Sequence, residues 1–333
     1  MAQEGTGGEG GFDLLAVLQG GRLEAEALLL VASLRRNAPG FGGRVVLAEP
    51  QPGPLWDRDP RARPAAKAAL RDLGAEVVPL DSRAFGARYP HGNKIEALRL
   101  LDGPFLFLDT DTLVLGDLAA LPVAGHPPTA SMRREGTWPV ADDPYWPGYR
   151  ATWGALYDRF GLDMEPTLDP RWPEEHWRRH LYFNAGWFLG PDAAAFGDLF
   201  LRYALSIRDD PPGPVALQPL DPWLDQVALP LVVHALGGGR PGPGLAGLDG
   251  DVTCHWRTLP LLYARESDRA VETLEAVAAE PALKALLGDH EPLRQFVWGG
   301  RGARARGLFD RGALPRREKD IRQRLRAEGL WLR

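Results

Sequence analysis

The sequence predicts an α/β fold in which helices flank a mostly parallel sheet. Three observations carry this. Short apolar runs alternate with helical stretches through the first hundred residues, and such alternation implies parallel strands joined by right-handed crossovers. The run Phe105-Leu106-Phe107-Leu108 is apolar at every position and follows Gly103-Pro104, as a strand buried on both faces requires. A hydrophobic fraction of 44% over 333 residues suffices for a large core.

Residues 12–18 form a short apolar strand that ends in the turn Gln19-Gly20-Gly21. Residues 23–36 place Ala and Leu on one face at helical spacing and stop near Pro39-Gly40. Residues 44–48 read as a second strand, and the Pro-rich stretch 49–64 as a loop. A helix over 65–73 closes at Gly74, before a third strand over 76–80. Residues 95–101 are helical and lead into the strand 105–115.

Between 122 and 180 the pattern breaks down. Trp138, Asp142, Asp143, Tyr145, Trp146, Tyr149, Trp153, Trp172 and Trp177 crowd this stretch. A loop this long in a compact domain is usually functional. Rings beside carboxylates suit a carbohydrate acceptor, and the plainer reading is a small Trp-rich core. A short helix is expected over 154–160 inside it.

Residues 181–190 form the next strand, where Asn184 interrupts a bulky apolar run and Gly186 permits close backbone approach. Helices are expected over 191–207 and 221–236, the second kinked or broken at Pro230. Residues 251–256 bring in His255, and from Glu266 onward the chain is mostly helical.

Two carboxylates, Asp109 and Asp111, interrupt the strand 105–115. Side chains two apart on an extended segment point the same way. Carboxylates that close repel unless a cation sits between them, and oxygen ligands suit Mg²⁺ or Mn²⁺. The bland alternative is a strand end with two solvated Asp residues. Ligands of open α/β sheets gather beyond the carboxyl ends of strands. Asp109 and Asp111 lie at one such end and Gln19-Gly20 at another. No Gly-x-Gly-x-x-Gly follows the first strand and no Walker A loop exists, which argues against a dinucleotide-binding Rossmann unit or a P-loop.

The net charge of −5 argues against a general nucleic-acid binder. Cys254 is the only cysteine, so no internal disulfide forms and a reducing, cytoplasmic compartment is expected. No run approaches eighteen apolar residues. Residues 1–11 are rich in Gly and Glu and are expected to be disordered. Residues 301–333 hold ten Arg and one Lys against four acids, a net of +7. With Leu308, Phe309, Leu314, Ile321, Leu325, Leu330 and Trp331 interleaved, this tail reads as a basic amphipathic helix. It would either dock peripherally on an anionic membrane surface or pack on the acidic body.

Taken in order, Lys94, the segment Phe-Leu-Asp-Thr-Asp-Thr-Leu-Val-Leu, then Phe-Asn-Ala-Gly, Asp-Gln and a His after a short strand resemble the GT-A-fold glycosyltransferases. The closest likeness is to glycosyltransferase family 8, which includes the glycogenins and bacterial lipopolysaccharide galactosyl- and glucosyltransferases. The resemblance implies a Rossmann-like mixed sheet flanked by helices, with a catalytic domain over 12–264, an acceptor-side insertion over 122–180 and a helical basic extension over 265–333. It also implies transfer of a sugar from a nucleotide-diphosphate donor, UDP-linked in the family's habit, to a glycan, glycolipid or protein, with retention. Asp109, Asp111 and His255 would hold Mn²⁺ or Mg²⁺. Lys94 would meet donor phosphate or sugar. Asn184, Ala185 and Asp225 would contact the donor sugar, and Gln226 would lie beneath the reacting carbon. Gln19 and Gly20 would border the nucleobase by strand order.

Two departures stand out. Val227 replaces a second acid often found after Asp-Gln, and Trp187 is bulkier than the usual small aliphatic. His234 competes with His255 as the metal ligand. Rival readings are a non-catalytic GT-A-like binding protein, which Val227 keeps open, and a haloacid-dehalogenase-like phosphatase. The phosphatase wants Thr where Leu113 stands.

Overall fold

A computed structural model describes residues 11–133, 136–140 and 145–332. The disorder expected at the N-terminus, apart from Gly11, and the positions Asp142 and Asp143 lie outside the described residues.

The strands are β1 (Asp13–Val17), β2 (Val45–Pro50), β3 (Glu76–Leu80), β4 (Phe105–Leu108), β5 (Thr112–Val114), β6 (Thr129–Ser131), β7 (Asn184–Gly190) and β8 (Thr253–His255). Six of them form one sheet in the order β3-β2-β1-β4-β7-β6, and β5 pairs with β8 in a separate ribbon. β3, β2, β1 and β4 run parallel. β7 is antiparallel to β4, and β6 antiparallel to β7. The sheet is therefore mixed, as a GT-A fold requires.

The helices are α1 (Arg22–Asn37), α2 (Pro64–Asp72), α3 (Asn93–Ala97), α4 (Tyr149–Arg159), α5 (Ala193–Asp209), α6 (Gly213–Ala216) and α7 (Leu224–Ala235). After β8 come α8 (Leu259–Arg265), α9 (Asp268–Ala278), α10 (Pro281–Leu287), α11 (Glu291–Leu293), α12 (Arg301–Gly307) and α13 (Glu318–Ala327). Local chemistry marks their starts. Gly21, at φ 81°, makes the left-handed turn into α1. Pro64 begins α2. The Asp192 carboxylate caps α5 by accepting from Ala195 N.

Strand alternation divides the core in two. Leu14 and Ala16 of β1 and Leu106 and Leu108 of β4 face α1 and the C-terminal helices. Leu15, Val17, Phe105 and Phe107 face α3, α4, α5 and α7. Residues of α9, α10, α12 and α13 share the first core with β1 and α1.

The structure refines four expectations. The strand expected over 105–115 is two strands in two sheets, because the chain leaves β4 after Leu108. Pro230 does not break α7, whose buried residues on both sides of it hold the helix in place. Pro has no N–H, so the helix forgoes only the bond from position 230 to the Gln226 carbonyl. The helix expected over 154–160 begins earlier, at Tyr149. The apolar face of the basic tail is spent inside the protein: Ile321, Leu325 and Leu330 are buried in the first core. No helix among the described residues is long and apolar enough to cross a membrane.

The stretch 122–180 is in large part core. Trp138 and Trp153 are fully buried and meet edge to face at 5.4 Å. Trp138 Nε1 donates to the Pro219 carbonyl at 2.9 Å.

Candidate functional site

Asp109-Thr110-Asp111 crosses from β4 in the large sheet to β5 in the ribbon. The crossing is pinned at both ends. Asp109 N donates to Gly186 O at 2.8 Å, and Trp256 N donates to Asp111 O at 2.9 Å. The ribbon pairs Thr112 with His255. One ligand atom from each of Asp109, Asp111 and His255 lies within 4.8 Å of the others. His255 Nε2 and Asp111 Oδ1 are 3.1 Å apart. His234, the rival candidate, packs its ring 5.7 Å from that of Tyr157 and is outside this group.

Lys94, on α3, is buried and ties the group to α7. Its Nζ lies 2.8 Å from Asp109 Oδ1 and 3.6 Å from Asp225 Oδ2, and donates to Ala185 O at 3.1 Å. Burial opposes its charge, yet Asp109 and Asp225 raise its pKa above the ordinary lysine value. The Tyr89 hydroxyl donates to Asp225 Oδ1 at 2.7 Å and accepts from Asp225 N at 2.9 Å. Burial, followed by the charge of Asp225, pushes the Tyr89 pKa far up, so the hydroxyl keeps its proton for that bond.

Burial opposes the charge of Asp111, but His255, Arg22 and Lys94 outweigh it and hold its pKa at about 2. Burial likewise opposes a charge on His255, and Asp111 overcomes it to raise the imidazole pKa. Glu26 of α1 accepts from Thr110 Oγ1 at 3.1 Å. Burial, then the charge of Asp111, pushes Glu26 up to about 8, against the pull of Arg22, whose Nη1 lies 2.6 Å from Glu26 Oε1.

β7 supplies the next layer. A Cβ on Gly186 would collide with the His255 ring, so glycine lets the imidazole rest on the strand. Asn184 Oδ1 accepts from Gly186 N at 2.8 Å, and its Nδ2 donates to Arg133 O at 3.1 Å. Its amide thus closes the irregular pairing between β6 and β7. Gln226 Oε1 accepts from Tyr182 Oη at 3.0 Å.

These groups border a cleft of about 980 Å³. Lys94, Asp109, Asn184, Ala185, Asp225, Gln226 and His255 all line it, together with Trp177 and Trp223. Asp111 instead lines a smaller cavity of about 300 Å³ with Arg22, Glu26, Trp256, Thr258 and His290. Gln19 and Gly20 stand at the end of β1 but line neither cavity. Gly20 N donates to Pro60 O at 2.8 Å, against the loop that follows β2. Neither departure lines the cleft. Val227 is fully buried among the α7 packing residues, and buried Trp187 donates from Nε1 to Asp249 Oδ1 at 2.7 Å.

The donor set of Asp109, Asp111 and His255 fits a divalent metal. Carboxylate oxygens suit hard divalent cations, and an imidazole is a common third ligand.

Sequence reasoning passed over Tyr89, Tyr182 and Glu26, and it directed the cations of α13 to a membrane or to the acidic body and not to the cleft. Tyr89 lies five residues before Lys94, and that proximity was the only signal available for it. Nothing in the chain order marks α13 as a wall of the cleft.

Several solved structures are similar. Galactosyltransferase LgtC, in complex with donor and acceptor sugar analogues, shares 15% identity over 81% of this chain and 98% of its own, with a TM-score of 0.45. The apo bifunctional glycosyltransferase WbbM shares 13% over 85% of this chain and 52% of its own, with a TM-score of 0.44. An active-site mutant of LgtC shares 14% over 62% and 69%, with a TM-score of 0.36. Comparison with curated protein sequences gives no match. The family profile for the Rhodobacterales glycosyltransferase domain matches residues 14–237, from β1 to just past the end of α7. That match spans most of the chain and the cleft-lining positions from Lys94 to Gln226, and the chain belongs to the Rhodobacterales glycosyltransferase domain family.

Proposed function

We propose that this glycosyltransferase moves a sugar from a nucleotide-diphosphate donor, a UDP-sugar by resemblance, to a glycan, glycolipid or protein acceptor. In this reading transfer depends on Mn²⁺ or Mg²⁺ and retains anomeric configuration. The observation that carries it is the convergence of Asp109, Asp111 and His255 within 4.8 Å, with the Lys94 ammonium 2.8 Å from Asp109. A metal held by those three residues would neutralise negative charge on the leaving diphosphate.

The chain's own groups do the rest. Lys94 presents a fixed cation beside the metal ligands and needs no reorganisation as phosphate charge develops. Asp225, held by Tyr89 and Lys94, accepts hydrogen bonds from hydroxyls of the donor sugar. Gln226, oriented by Tyr182, offers an amide dipole to the positive anomeric carbon. Trp177 and Trp223 offer ring faces to apolar sugar faces. The smaller cavity suits the nucleoside. Trp256 Nε1, Thr258 Oγ1 and His290 Nδ1 are buried there without a hydrogen-bond partner among the described residues, and a ligand with hydroxyls and carbonyls would satisfy them. We place the reaction in the reducing cytoplasm, with which the lone buried Cys254 agrees.

The test is a thermal-shift panel of nucleotide sugars with and without Mn²⁺. A ligand that binds only the native state raises its stability. A shift that requires both nucleotide and Mn²⁺, together with release of nucleoside diphosphate on incubation with an acceptor mixture, is the expected result. No metal-dependent shift with any nucleotide sugar would reject the proposal.

A further inference from the structure

Helix α13 is fixed to the body by its apolar side, with Ile321 and Leu325 in the core. Another side of it, with the residues just before, borders the cleft through Arg316, Arg317, Lys319, Arg322 and Arg326. Two of these cations are neutralised locally. Arg322 shares buried Glu318 with Arg257, and Arg317 lies 3.1 Å from Asp320. Arg316, Lys319 and Arg326 have no carboxylate partner among the described residues, nor does Arg178 on the 122–180 insertion. Two of the four are held by rings, which position a cation without neutralising it. Arg326 lies 5.2 Å from the Trp331 ring, and Arg178 lies 4.9 Å from each of Trp172 and Trp177.

The donor proposed above does not account for these four charges. Its diphosphate would sit at the metal ligands, where Lys94 already stands. Four more uncompensated cations on one concave wall repel one another, and such a wall concentrates ligands of opposite sign. Three of the four are arginines, whose planar forks match phosphate and carboxylate oxygens.

We infer that the acceptor is an anionic saccharide, bearing phosphate or carboxylate groups that Arg178, Arg316, Lys319 and Arg326 bind while Trp177 takes a sugar face. This rests on the reading of the cleft as the site of transfer from a nucleotide sugar. It extends that reading to the chemistry of the second substrate.

The experiment is calorimetric titration of the full chain with length-matched oligosaccharides that are neutral, uronic-acid-containing or phosphorylated. Each titration is run with and without Mn²⁺ and UDP, at low and high salt. At least one charged series should bind at least about tenfold tighter than the neutral series, and salt should shrink the preference. The two charged arms identify the anion. In the triple variant Arg316→Gln, Lys319→Gln, Arg326→Gln the preference should fall to within about twofold, while UDP affinity keeps its wild-type value within about twofold. All three positions are exposed, and the single variant Arg316→Gln gives the same reading at smaller size. Equal affinity for neutral and charged series in the wild-type chain would overturn the inference. An equal loss of UDP affinity in the triple variant would also overturn it, by assigning the cations to the donor. Failure of the donor reading shows separately, as absent Mn²⁺-dependent UDP binding, and the titrations without nucleotide still decide the anion preference.

Discussion

His255 Nε2 stands 3.1 Å from Asp111 Oδ1 because the β5–β8 ribbon pairs Thr112 with His255. The ribbon is only three residues long on each side, yet it sets which face of β8 meets the Asp-x-Asp crossing. A slip of one residue in its register would turn the imidazole to the other face.

The first prediction follows from that relationship. Asp111→Asn keeps the shape of the side chain but removes one charge from the proposed metal group. In the wild-type chain Mn²⁺ with UDP at about a hundredfold excess over Kd should add about 2.7 kcal/mol of stability. The variant should fold and should lose the Mn²⁺-dependent part of that gain. Thermal unfolding with UDP, with and without Mn²⁺, reads the difference. An unchanged metal-dependent shift would remove Asp111 from the metal group.

Gly186 gives a second route to the same site. A methyl at this position would strike the His255 ring, so Gly186→Ala should displace the imidazole. Mn²⁺ affinity, measured by titration, should fall about 10- to 100-fold, as it does when the support of a metal ligand is lost. Wild-type Mn²⁺ affinity in Gly186→Ala would show that His255 is not held against β7 as described.

Asp225→Asn and Gln226→Ala should act on turnover. Both side chains line the cleft beside Lys94, and their proposed partners are the sugar and its developing charge. Loss of such a preorganised group typically lowers kcat about 10²- to 10³-fold. UDP binding should change little, because the nucleotide is proposed to sit elsewhere. Wild-type transfer rates in both variants would refute these roles.

Tyr89→Phe tests a positioning residue. Removing the hydroxyl strips buried Asp225 of a donor to its carboxylate and an acceptor for its amide. The expected destabilisation is about 1–3 kcal/mol, measured by denaturant unfolding. A slower kcat with little change in donor KM should accompany it. Lost stability without any effect on kcat would make Tyr89 purely structural.

Glu318 fixes the start of α13. Its carboxylate meets Arg257, Arg265 and Arg322, and Arg257 holds a left-handed backbone at φ 63° directly after Trp256. Glu318→Gln should leave these cations without their shared anion and cost about 3 kcal/mol of stability. Equilibrium unfolding checks the magnitude. A change below about 0.5 kcal/mol, the range of ordinary surface substitutions, would show that solvent already screens the cluster.

The sequence alone determined the elements that depend on local pattern. The alternation of apolar runs with helical stretches specified β1 to β4 and α1 to α3, because period and turn residues act over a few neighbours. The ordered set Lys94, Asp109, Asn184, Asp225, Gln226 and His255 was readable through its resemblance to glycosyltransferase family 8, and all six line one cleft. The extended geometry assumed for Asp109 and Asp111 was not correct. The chain changes sheets between them, and their ligand atoms converge with His255 even though Asp111 lines the neighbouring cavity.

Tertiary structure decided the rest. Only packing shows that Val227 and Trp187 face the core and not the cleft, since composition does not say which side of an element is buried. Only packing separates His255 from His234, because a short ribbon brings one of them to a crossing far away in sequence. The basic tail read either as a membrane helix or as a packed one. Its apolar residues found the core formed by β1 and α1, which left its cations along the cleft. Burial of a face depends on a partner surface supplied by distant parts of the chain, and a local pattern carries no information about which surface that is.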